Sequence, residues 1–414
     1  METTWTDPVN QIELKLKSFF ISEDYGFVLE DPLTKLPRYY QPWMDVANNL
    51  THLIKTHQLQ DLVKKMPLLS TLHLHGHRQL RLAHLALGFI TMGYVWQEGL
   101  HQPAQALPRA LAVPYSNVSQ ALGLPSILVY ADCVLANWRL KDPSRPMEIG
   151  NLDTIFSFPG GESGKNFFLV SMLVEKSANS GIQGVISAVN AMVKYDISSL
   201  HKALQRITLS LKNMEEVFRL MHNHVDPNIF HGTFRVYLSG WRDNPLLPDG
   251  LWYEGVREEP LRLSGGSAAQ SSSIQSLDTL LGIQHDLDPA GFLRRMRSYM
   301  PPSHRQLIET VAAGPSLRSF VLSGADPSLC QAYNSCVSAL VALRSYHLNA
   351  VARYITVPRQ RGQTGPVAGC PFRGACEALG DRGTGGSNPM TFLKNVRDCT
   401  RKALITQHVG LAES

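Results

Sequence analysis

The sequence predicts a mainly α-helical fold. Apolar residues recur with a period near 3.6 over several long segments, whereas alternating runs typical of β-strands are few and short. Two pairs, Asp226-Pro227 and Asp326-Pro327, add helix start signals, because the aspartate can cap the first turn and proline is favoured just inside it. At 414 residues the chain is long for one core, so we expect two domains.

Six segments carry these helical signals. Each has either apolar residues at helical spacing or a proline or Asp-Pro pair at its first turn. One of them, Arg78 to Gln97, is apolar nearly all round and is therefore expected in the core. The predicted helices are Pro37 to Gln58, Arg78 to Gln97, Asn166 to Met192, Ser199 to His224, Asp226 to Gly240 and Asp326 to Tyr354.

Two stretches interrupt the helical pattern. Ser157 to Gly164 is rich in turn-forming residues, and we place the domain boundary there. This gives a small, mostly helical domain over residues 1–158 and a large all-α domain over residues 159–414. Residues 357–389 are rich in Gly, Pro and Arg and lack periodicity, and a loop of that length is usually a lid, a binding loop or disordered. We predict that this loop is mobile.

Composition and charge exclude several classes of protein. A hydrophobic content of 44% with 18% charged residues is typical of a globular protein with ample core material. The net charge of +5 is spread along the chain, which argues against a nucleic-acid or membrane-surface partner. The N-terminus lacks the pattern of a signal peptide, and the six cysteines are sparse and irregularly spaced. These features favour free thiols and a cytoplasmic protein.

His347 is the first candidate site residue. On a helix its neighbours at three and four residues include Leu343, Ala350 and Val351, with Arg344 at the edge. A haem needs an apolar wall, one imidazole for the iron and a cation near a propionate. A core histidine with a hydrogen-bonded ring gives the same pattern, and spacing alone favours that interpretation.

The helix predicted after Asp226 carries a second candidate. Helical spacing places His231, Phe234, Arg235 and Leu238 on one face. An arginine among aromatic rings is a plausible carboxylate receptor, because its planar fork binds two oxygens while the rings hold a flat ligand. The alternative is an arginine that covers a core face with its alkyl chain, and the pattern alone favours that alternative.

Two glycine clusters allow the backbone to approach a ligand closely. They are Ser264 to Ser273, which includes Gly265-Gly266, and Gly383-Thr384-Gly385-Gly386. Neither matches a dinucleotide-binding or phosphate-binding loop, because no strand precedes them and the spacings differ. Taken alone, such clusters are more often flexible surface.

Two tyrosines share a short signalling pattern. Tyr115 and Tyr253 each have an aliphatic residue two positions before and another three positions after. This is the form of an immunoreceptor tyrosine-based inhibitory motif, which an SH2 domain reads after phosphorylation. A structural tyrosine is the favoured interpretation for each one singly.

Read together, several strings resemble the indoleamine 2,3-dioxygenase family over about Tyr25 to Val396. Those that carry the resemblance are Leu124 to Trp138, Phe167 to Ser171, Tyr237 to Trp241, Gly265 to Ala268, Leu343 to His347 and Gly383 to Gly386. Other strings look more like the second of the two vertebrate types, namely Met66 to Ser70, Gly93 to Gly99 and Ser157 to Ser163. The stretch from Tyr130 to Cys133 looks more like the first type.

The resemblance implies a haem enzyme of tryptophan catabolism. Members insert both atoms of O2 across the indole 2,3-bond of L-tryptophan to give N-formylkynurenine, the first step of the kynurenine pathway, which also links the family to immunity. The implied cofactor is haem b, bound between a small and a large helical domain. A cellular electron donor keeps the iron ferrous, and we expect a monomer.

The resemblance also assigns roles to residues of this sequence. His347 matches the iron ligand and Arg344 a propionate contact, and Ser267 and Ala268 match residues beside the haem. The indole pocket is matched by Tyr130, Cys133, Val134, Phe167 and Ser171. The remaining substrate contacts are matched by Phe230, His231, Arg235, Leu238, Gly266, Ser267, Ala268 and, in the lid loop, Thr384.

One departure from the family pattern concerns His231, which stands where the family has the second of two adjacent phenylalanines. An imidazole keeps a ring but adds polarity where the indole packs. If His231 faces the pocket, the lost apolar contact is worth about 1–2 kcal/mol, so we expect weak tryptophan affinity. The alternative is that its imidazole hydrogen-bonds the substrate or bound oxygen. This departure keeps an alternative open: a haem-binding signalling or scaffold protein that acts through Tyr115 and Tyr253.

Overall fold

The computed structural model confirms a mainly α-helical protein; it describes residues 13–324, 326–358 and 388–406. The α-helices are α1 (Gln41–Asn48), α2 (Leu50–Lys55), α3 (Leu59–Lys64), α4 (Gly76–Val95), α5 (Arg109–Leu122), α6 (Tyr130–Cys133), α7 (Gly161–Ser177), α8 (Asn179–Val193), α9 (Ile197–His224), α10 (Pro227–Ile229), α11 (Ser272–Leu281), α12 (Leu287–Arg297), α13 (Pro302–Ala313), α14 (Leu317–Ser323), α15 (Pro327–Val351) and α16 (Pro389–Lys402).

Shorter elements connect these helices. The 3₁₀ turns are Leu16–Phe19, Arg38–Tyr40, Thr71–His73, Ile149–Asn151, Arg235–Leu238 and Ala268–Gln270. Four two-residue strands form two small ladders: β1 (Ala106–Leu107) pairs in parallel with β4 (Trp252–Tyr253), and β2 (Arg139–Leu140) pairs antiparallel with β3 (Leu152–Asp153). The ladders are too small to change the fold class.

The predicted core helix is confirmed as α4, in which every residue from Arg81 to Val95 is buried. Two of its buried polar side chains, Arg81 and His84, have hydrogen-bond partners. Arg81 donates to the Ala131 carbonyl oxygen over 2.7 Å, and the His84 Nδ1 lies 2.8 Å from an Asp132 carboxylate oxygen. These bonds offset the cost of burying polar groups and hold α6 against α4.

Two predicted helices are each divided in the structure. The segment from Pro37 forms a 3₁₀ turn and then α1 and α2, which are separated at Asn49. The Asn49 side chain bonds the carbonyl of Asp45, so it competes with the helix for backbone partners. The segment from Asn166 forms α7 and α8, with the single residue Ala178 between them. Just before it, the Ser177 hydroxyl donates to the Val174 carbonyl over 2.7 Å and so competes with the helix for a backbone partner.

Both Asp-Pro start signals are confirmed. The Asp226 carboxylate accepts the backbone N–H groups of Asn228 and Ile229, and the Asp326 carboxylate accepts that of Ser328. The two helices also end alike, because each passes into a π-helical turn, Phe230–Phe234 after α10 and Ala352–Thr356 after α15. Such turns are frequent at functional sites.

The long helices pack around α9. It contacts α7, α8 and α15 extensively, and α16 packs along α15. One connected hydrophobic core includes residues on both sides of the predicted boundary near residue 158, and the division into two domains stays a prediction. Most of the predicted mobile loop, residues 357–389, lies outside the described residues. Within the described ranges, no helix has the length and hydropathy needed to cross a membrane.

Candidate active site

A cavity of about 310 Å³ lies among α6, α7, α9, α15 and α16. This volume is at the lower end of the roughly 300–1,000 Å³ typical of small-molecule sites. We divide its lining into two walls. The Glu175 wall consists of Tyr130, Cys133, Val134, Phe167, Phe168, Ser171, Val174, Glu175, Phe230, Arg235, Leu238, Gly266, Ser267, Ala268, Ala269, Ser271 and Ile274. The His347 wall consists of Met214, Phe218, Met221, Phe292, Leu293, Leu343, Arg344, His347, Ala350, Val351, Tyr354, Ile355, Pro389, Phe392, Leu393 and Val396.

His347 projects from α15 into an apolar environment. Its ring centroid lies 5.6 Å from that of Phe218, and Leu343 and Val351 line the cavity beside it. Burial lowers the pKa of His347 to about 4, and the Arg344 guanidinium adds to this effect. Among the described residues, His347 has no hydrogen-bond partner. A neutral, unpartnered imidazole in an apolar cavity fits an iron ligand, so the residues present fit a haem.

Arg344 also lines the cavity, but its guanidinium already has protein partners. It donates to an Asp278 carboxylate oxygen over 2.6 Å and to the Thr400 hydroxyl. The same Asp278 oxygen lies 3.0 Å from His285 Nε2. Burial alone would raise the pKa of Asp278, but Arg344 and His285 outweigh it and lower that pKa. A propionate would therefore have to share Arg344 with Asp278.

The Glu175 wall is built around a buried carboxylate. Glu175 is 2% exposed, and it accepts hydrogen bonds from the hydroxyls of Tyr130 at 3.0 Å, Ser271 at 2.5 Å and Ser273 at 2.6 Å. No Lys, Arg or His of the described ranges pairs with it. Burial raises the pKa of Glu175, and the three hydroxyl bonds only partly oppose that rise.

The backbone of residues 265–268 reaches the cavity through close packing against residues 238–240. A Cβ at Gly265 would lie 2.0 Å from the Leu238 carbonyl oxygen, and one at Gly240 would lie 2.3 Å from the Gly265 nitrogen. Only glycine fits at such crossings. Gln270 completes the arrangement, since its Nε2 donates to the Gly265 carbonyl over 2.9 Å.

Aromatic rings and one arginine also belong to the Glu175 wall. Phe167 of α7 lies with its ring centroid 4.7 Å from that of Phe230, which belongs to the π-helical turn. Arg235 follows that turn and is 4% exposed. A buried guanidinium beside aromatic rings is suited to a ligand that is flat at one end and carries a carboxylate at the other.

The structure brings most of the predicted site residues together in this cavity. Those that line it are Tyr130, Cys133, Val134, Phe167, Ser171, Phe230, Arg235, Leu238, Gly266, Ser267, Ala268, Arg344 and His347. His231 is half-buried and is not among the lining residues, although it follows Phe230 directly. Thr384 lies outside the described residues.

The sequence reasoning missed Glu175, and it noted Ser271 and Ser273 only as part of the cluster Ser264 to Ser273, not as partners of a carboxylate. A signal was present, because Glu175 follows Phe167 and Ser171 at helical intervals of eight and four residues on one face. An acid on a face that otherwise carries pocket residues is unusual and indicates a specific partner.

The two tyrosine motifs are not accessible in this fold. Tyr115 of α5 and Tyr253 of β4 are both fully buried, and the Tyr253 hydroxyl donates to the Ser126 carbonyl oxygen. A kinase or an SH2 domain needs an exposed, extended segment. Their burial supports the structural interpretation of both tyrosines. The four described cysteines, Cys133, Cys330, Cys336 and Cys399, are free and buried.

Comparison with known proteins agrees with this geometry. Residues 15–403 match the family described as indoleamine 2,3-dioxygenase. The chain is 52% identical to indoleamine 2,3-dioxygenase 2 of Homo sapiens, over 95% of this chain and 96% of that protein. It is 49% identical to indoleamine 2,3-dioxygenase 1 of Mus musculus, over 94% and 96%. It is also 37% identical to a myoglobin of Haliotis diversicolor, over 94% of this chain and 99% of that protein.

Proposed function

Because the chain belongs to the indoleamine 2,3-dioxygenase family, we propose that it is a haem-dependent enzyme that opens the indole 2,3-bond of L-tryptophan with O2. The product is N-formylkynurenine, which begins the kynurenine pathway. The observation that carries the proposal is the neutral, unpartnered His347 in the same cavity as Arg235 and a wall of aromatic rings.

Haem b is the proposed cofactor, and His347 is its protein ligand. The His347 wall supplies apolar side chains of α9, α15 and α16 for the porphyrin. When bound, the haem supplies the site where O2 is activated, so the protein needs no acid/base pair of its own. Both oxygen atoms enter the product, and the reaction consumes no net electrons. An electron donor is needed only to keep the iron ferrous.

The Glu175 wall is proposed to bind and orient tryptophan. Arg235 pairs with the substrate carboxylate, and Phe167 and Phe230 pack against the indole. The Ser171 hydroxyl donates to the Phe167 carbonyl over 2.8 Å, so its free lone pairs can only accept. Ser171 is therefore suited to accept the indole N–H. The apolar lining excludes water from the reacting atoms.

Family membership alone does not fix the activity, since relatives are named both dioxygenases and myoglobins. An oxygen carrier has no need of a carboxylate receptor beside its oxygen site. Buried Arg235 favours the dioxygenase. The test is to reconstitute the full chain with haem, reduce it and add L-tryptophan in air. We expect one N-formylkynurenine per O2 consumed; reversible O2 binding without product would overturn the proposal.

Three further expectations from the sequence stand as proposals with this function. The chain acts as a monomer, is located in the cytoplasm and is divided into two domains near residue 158. The weak tryptophan affinity predicted from the sequence also stays a prediction, although His231, from which it was expected, is not among the residues that line the cavity. The signalling alternative is not proposed, because Tyr115 and Tyr253 are fully buried.

A further inference from the structure

We propose that Glu175 is a positioning residue for the substrate: its side chain holds Tyr130 and residues 265–271 where they contact the indole ring. The inference rests on the proposed function, because it explains how the same cavity keeps its shape. Glu175 has no part in the roles assigned above, although it lines the cavity and is 2% exposed.

One carboxylate connects three separate parts of the chain. Glu175 projects from α7, and its Oε1 accepts the hydroxyls of Tyr130 in α6 and of Ser271, just before α11. Its Oε2 accepts the hydroxyl of Ser273 in α11. These segments are about 45 to 140 residues apart in sequence, and each carries cavity-lining residues. The Glu175 wall is thus one hydrogen-bonded unit.

Tyr130 is held at two points by this unit. Its backbone N–H donates to the Gln270 Oε1 over 2.9 Å, and its phenol donates to Glu175 at the far end of the ring. Gln270 in turn bonds the Gly265 carbonyl. A ring fixed at both ends cannot rotate away from the cavity, so the face it offers to an indole is set before substrate binds.

The bonding pattern, rather than the negative charge, is the expected basis of this role. A buried carboxylate without a cation is costly, and a leucine of similar size would remove that cost while leaving three hydroxyls without their acceptor. A glutamine keeps one acceptor oxygen for Tyr130 and Ser271. The Ser273 hydroxyl can then reverse and accept from the glutamine amide, because a hydroxyl both donates and accepts.

The test compares Glu175→Leu, Glu175→Gln and Ser273→Ala in the haem-loaded full chain. The measurements are KM and kcat for L-tryptophan, its Kd from the absorption change of the ferric protein, and amide hydrogen exchange. Ser273→Ala removes one hydrogen bond to Glu175, and Ser273 itself does not line the cavity. Ser276→Ala is the matched control, because Ser276 is buried in the same helix but donates only to the Ser272 carbonyl.

We expect Glu175→Leu to raise KM and Kd about tenfold with kcat changed less than threefold, as for lost binding contacts. Amide exchange should accelerate in residues 130–133 and 265–271. Glu175→Gln should restore both properties to within about threefold of the wild type. Ser273→Ala should raise KM two- to threefold alone and add nothing to Glu175→Leu, because the two share one bond. Ser276→Ala should change neither property.

Two results would overturn the inference. An unchanged KM in both Glu175→Leu and Ser273→Ala would show that the unit does not position substrate. A glutamine variant as impaired as the leucine variant would show that charge, not bonding, matters. If Glu175→Leu does not fold, Ser273→Ala and Tyr130→Phe decide the matter. Failure of the proposed function is distinguishable, because then the wild type itself neither binds nor converts tryptophan.

Discussion

The two walls of the cavity differ in how their polar groups are satisfied. In the Glu175 wall the carboxylate accepts three hydroxyls, and Tyr130 is bonded through both its backbone and its phenol. In the His347 wall the imidazole has no hydrogen-bond partner among the described residues. A wall whose polar groups are hydrogen-bonded to one another keeps its shape before a ligand binds. An imidazole without a hydrogen-bond partner has a lone pair available to bind a metal ion.

A second buried histidine, His84, shows what distinguishes His347. His84 is fully buried, and both ring nitrogens face acceptors, an Asp132 carboxylate oxygen at 2.8 Å and the Pro125 carbonyl at 3.2 Å. That is the ordinary core histidine that the sequence pattern alone favoured for His347. The difference between a structural histidine and a candidate metal ligand therefore lies in the hydrogen bonds that each ring makes.

The largest effect is expected for His347→Ala. Removing the only imidazole of the described lining should lower haem retention more than tenfold, while the helical fold is kept because the residue makes no hydrogen bond. The measurement is the absorbance of bound haem per protein after gel filtration, with circular dichroism as the fold check. His222→Ala is the control, since His222 lies on α9 outside the cavity lining. Full haem retention by His347→Ala would show that the unpartnered imidazole of the His347 wall is not the iron ligand.

Arg235→Leu should have the next largest effect, confined to the Glu175 wall. A charge-assisted bond to the substrate carboxylate is worth about 1.5–3 kcal/mol, which corresponds to on the order of 10- to 100-fold in kcat/KM. Haem content should not change, because Arg235 belongs to the other wall. Tryptamine, which lacks the carboxylate, is the control ligand. Its Kd should be the same for both proteins, and a parallel loss would contradict the assigned contact.

Local periodicity alone grouped the centre of the His347 wall, whereas it did not predict the contacts of Glu175, for a physical reason. The His347 side chain and its apolar neighbours Leu343, Ala350 and Val351 share one face of one helix, so local periodicity brings them together. Glu175 bonds Tyr130 and Ser271, which are 45 and 96 residues away. No local pattern encodes such pairings, and only the resemblance to a family collected the substrate residues.

The helices, like the residues of the cavity, were predictable only where short-range rules determine them. The capping aspartates Asp226 and Asp326 and the buried helix α4 follow from short-range rules, and the structure confirms them. The interruptions at Asn49 and Ala178 were not predicted, because the apolar period continues through both. Periodicity indicates which face is buried; it does not indicate where one turn of hydrogen bonds is lost.

The pH dependence of stability should have opposite signs for the two walls. Burial lowers the pKa of His347 to about 4, so between that value and 6.5 only the unfolded chain binds this proton. His304 of α13, which is buried outside both walls, adds to the effect because burial lowers its pKa to about 3. The apoprotein should therefore lose stability as pH falls below 6.5, with a slope of up to about 1.4 kcal/mol per pH unit for each histidine. Urea unfolding of the apoprotein from pH 4.5 to 7.5 measures this slope.

Glu175 should act in the other direction. Burial raises its pKa above 4.5, so the folded protein holds this proton at a pH where the unfolded chain has lost it. Its contribution to stability falls as pH rises from 4.5 through the raised pKa. Glu175→Gln should therefore gain stability relative to the wild type over that range, and a constant difference between the two proteins would contradict the assigned burial.

The smallest effect is expected for His231→Phe, which tests how far the Glu175 wall extends. The neighbouring Phe230 lines the cavity, whereas His231 is half-buried and does not, so restoring the ring of the family should change KM for tryptophan less than twofold. Phe230→Leu is the matched comparison and should raise KM several-fold, because it removes ring contacts worth about 1 kcal/mol. A several-fold fall in KM for His231→Phe would instead mean that position 231 reaches the substrate. In that case the imidazole of His231 would weaken tryptophan binding, as the sequence predicted.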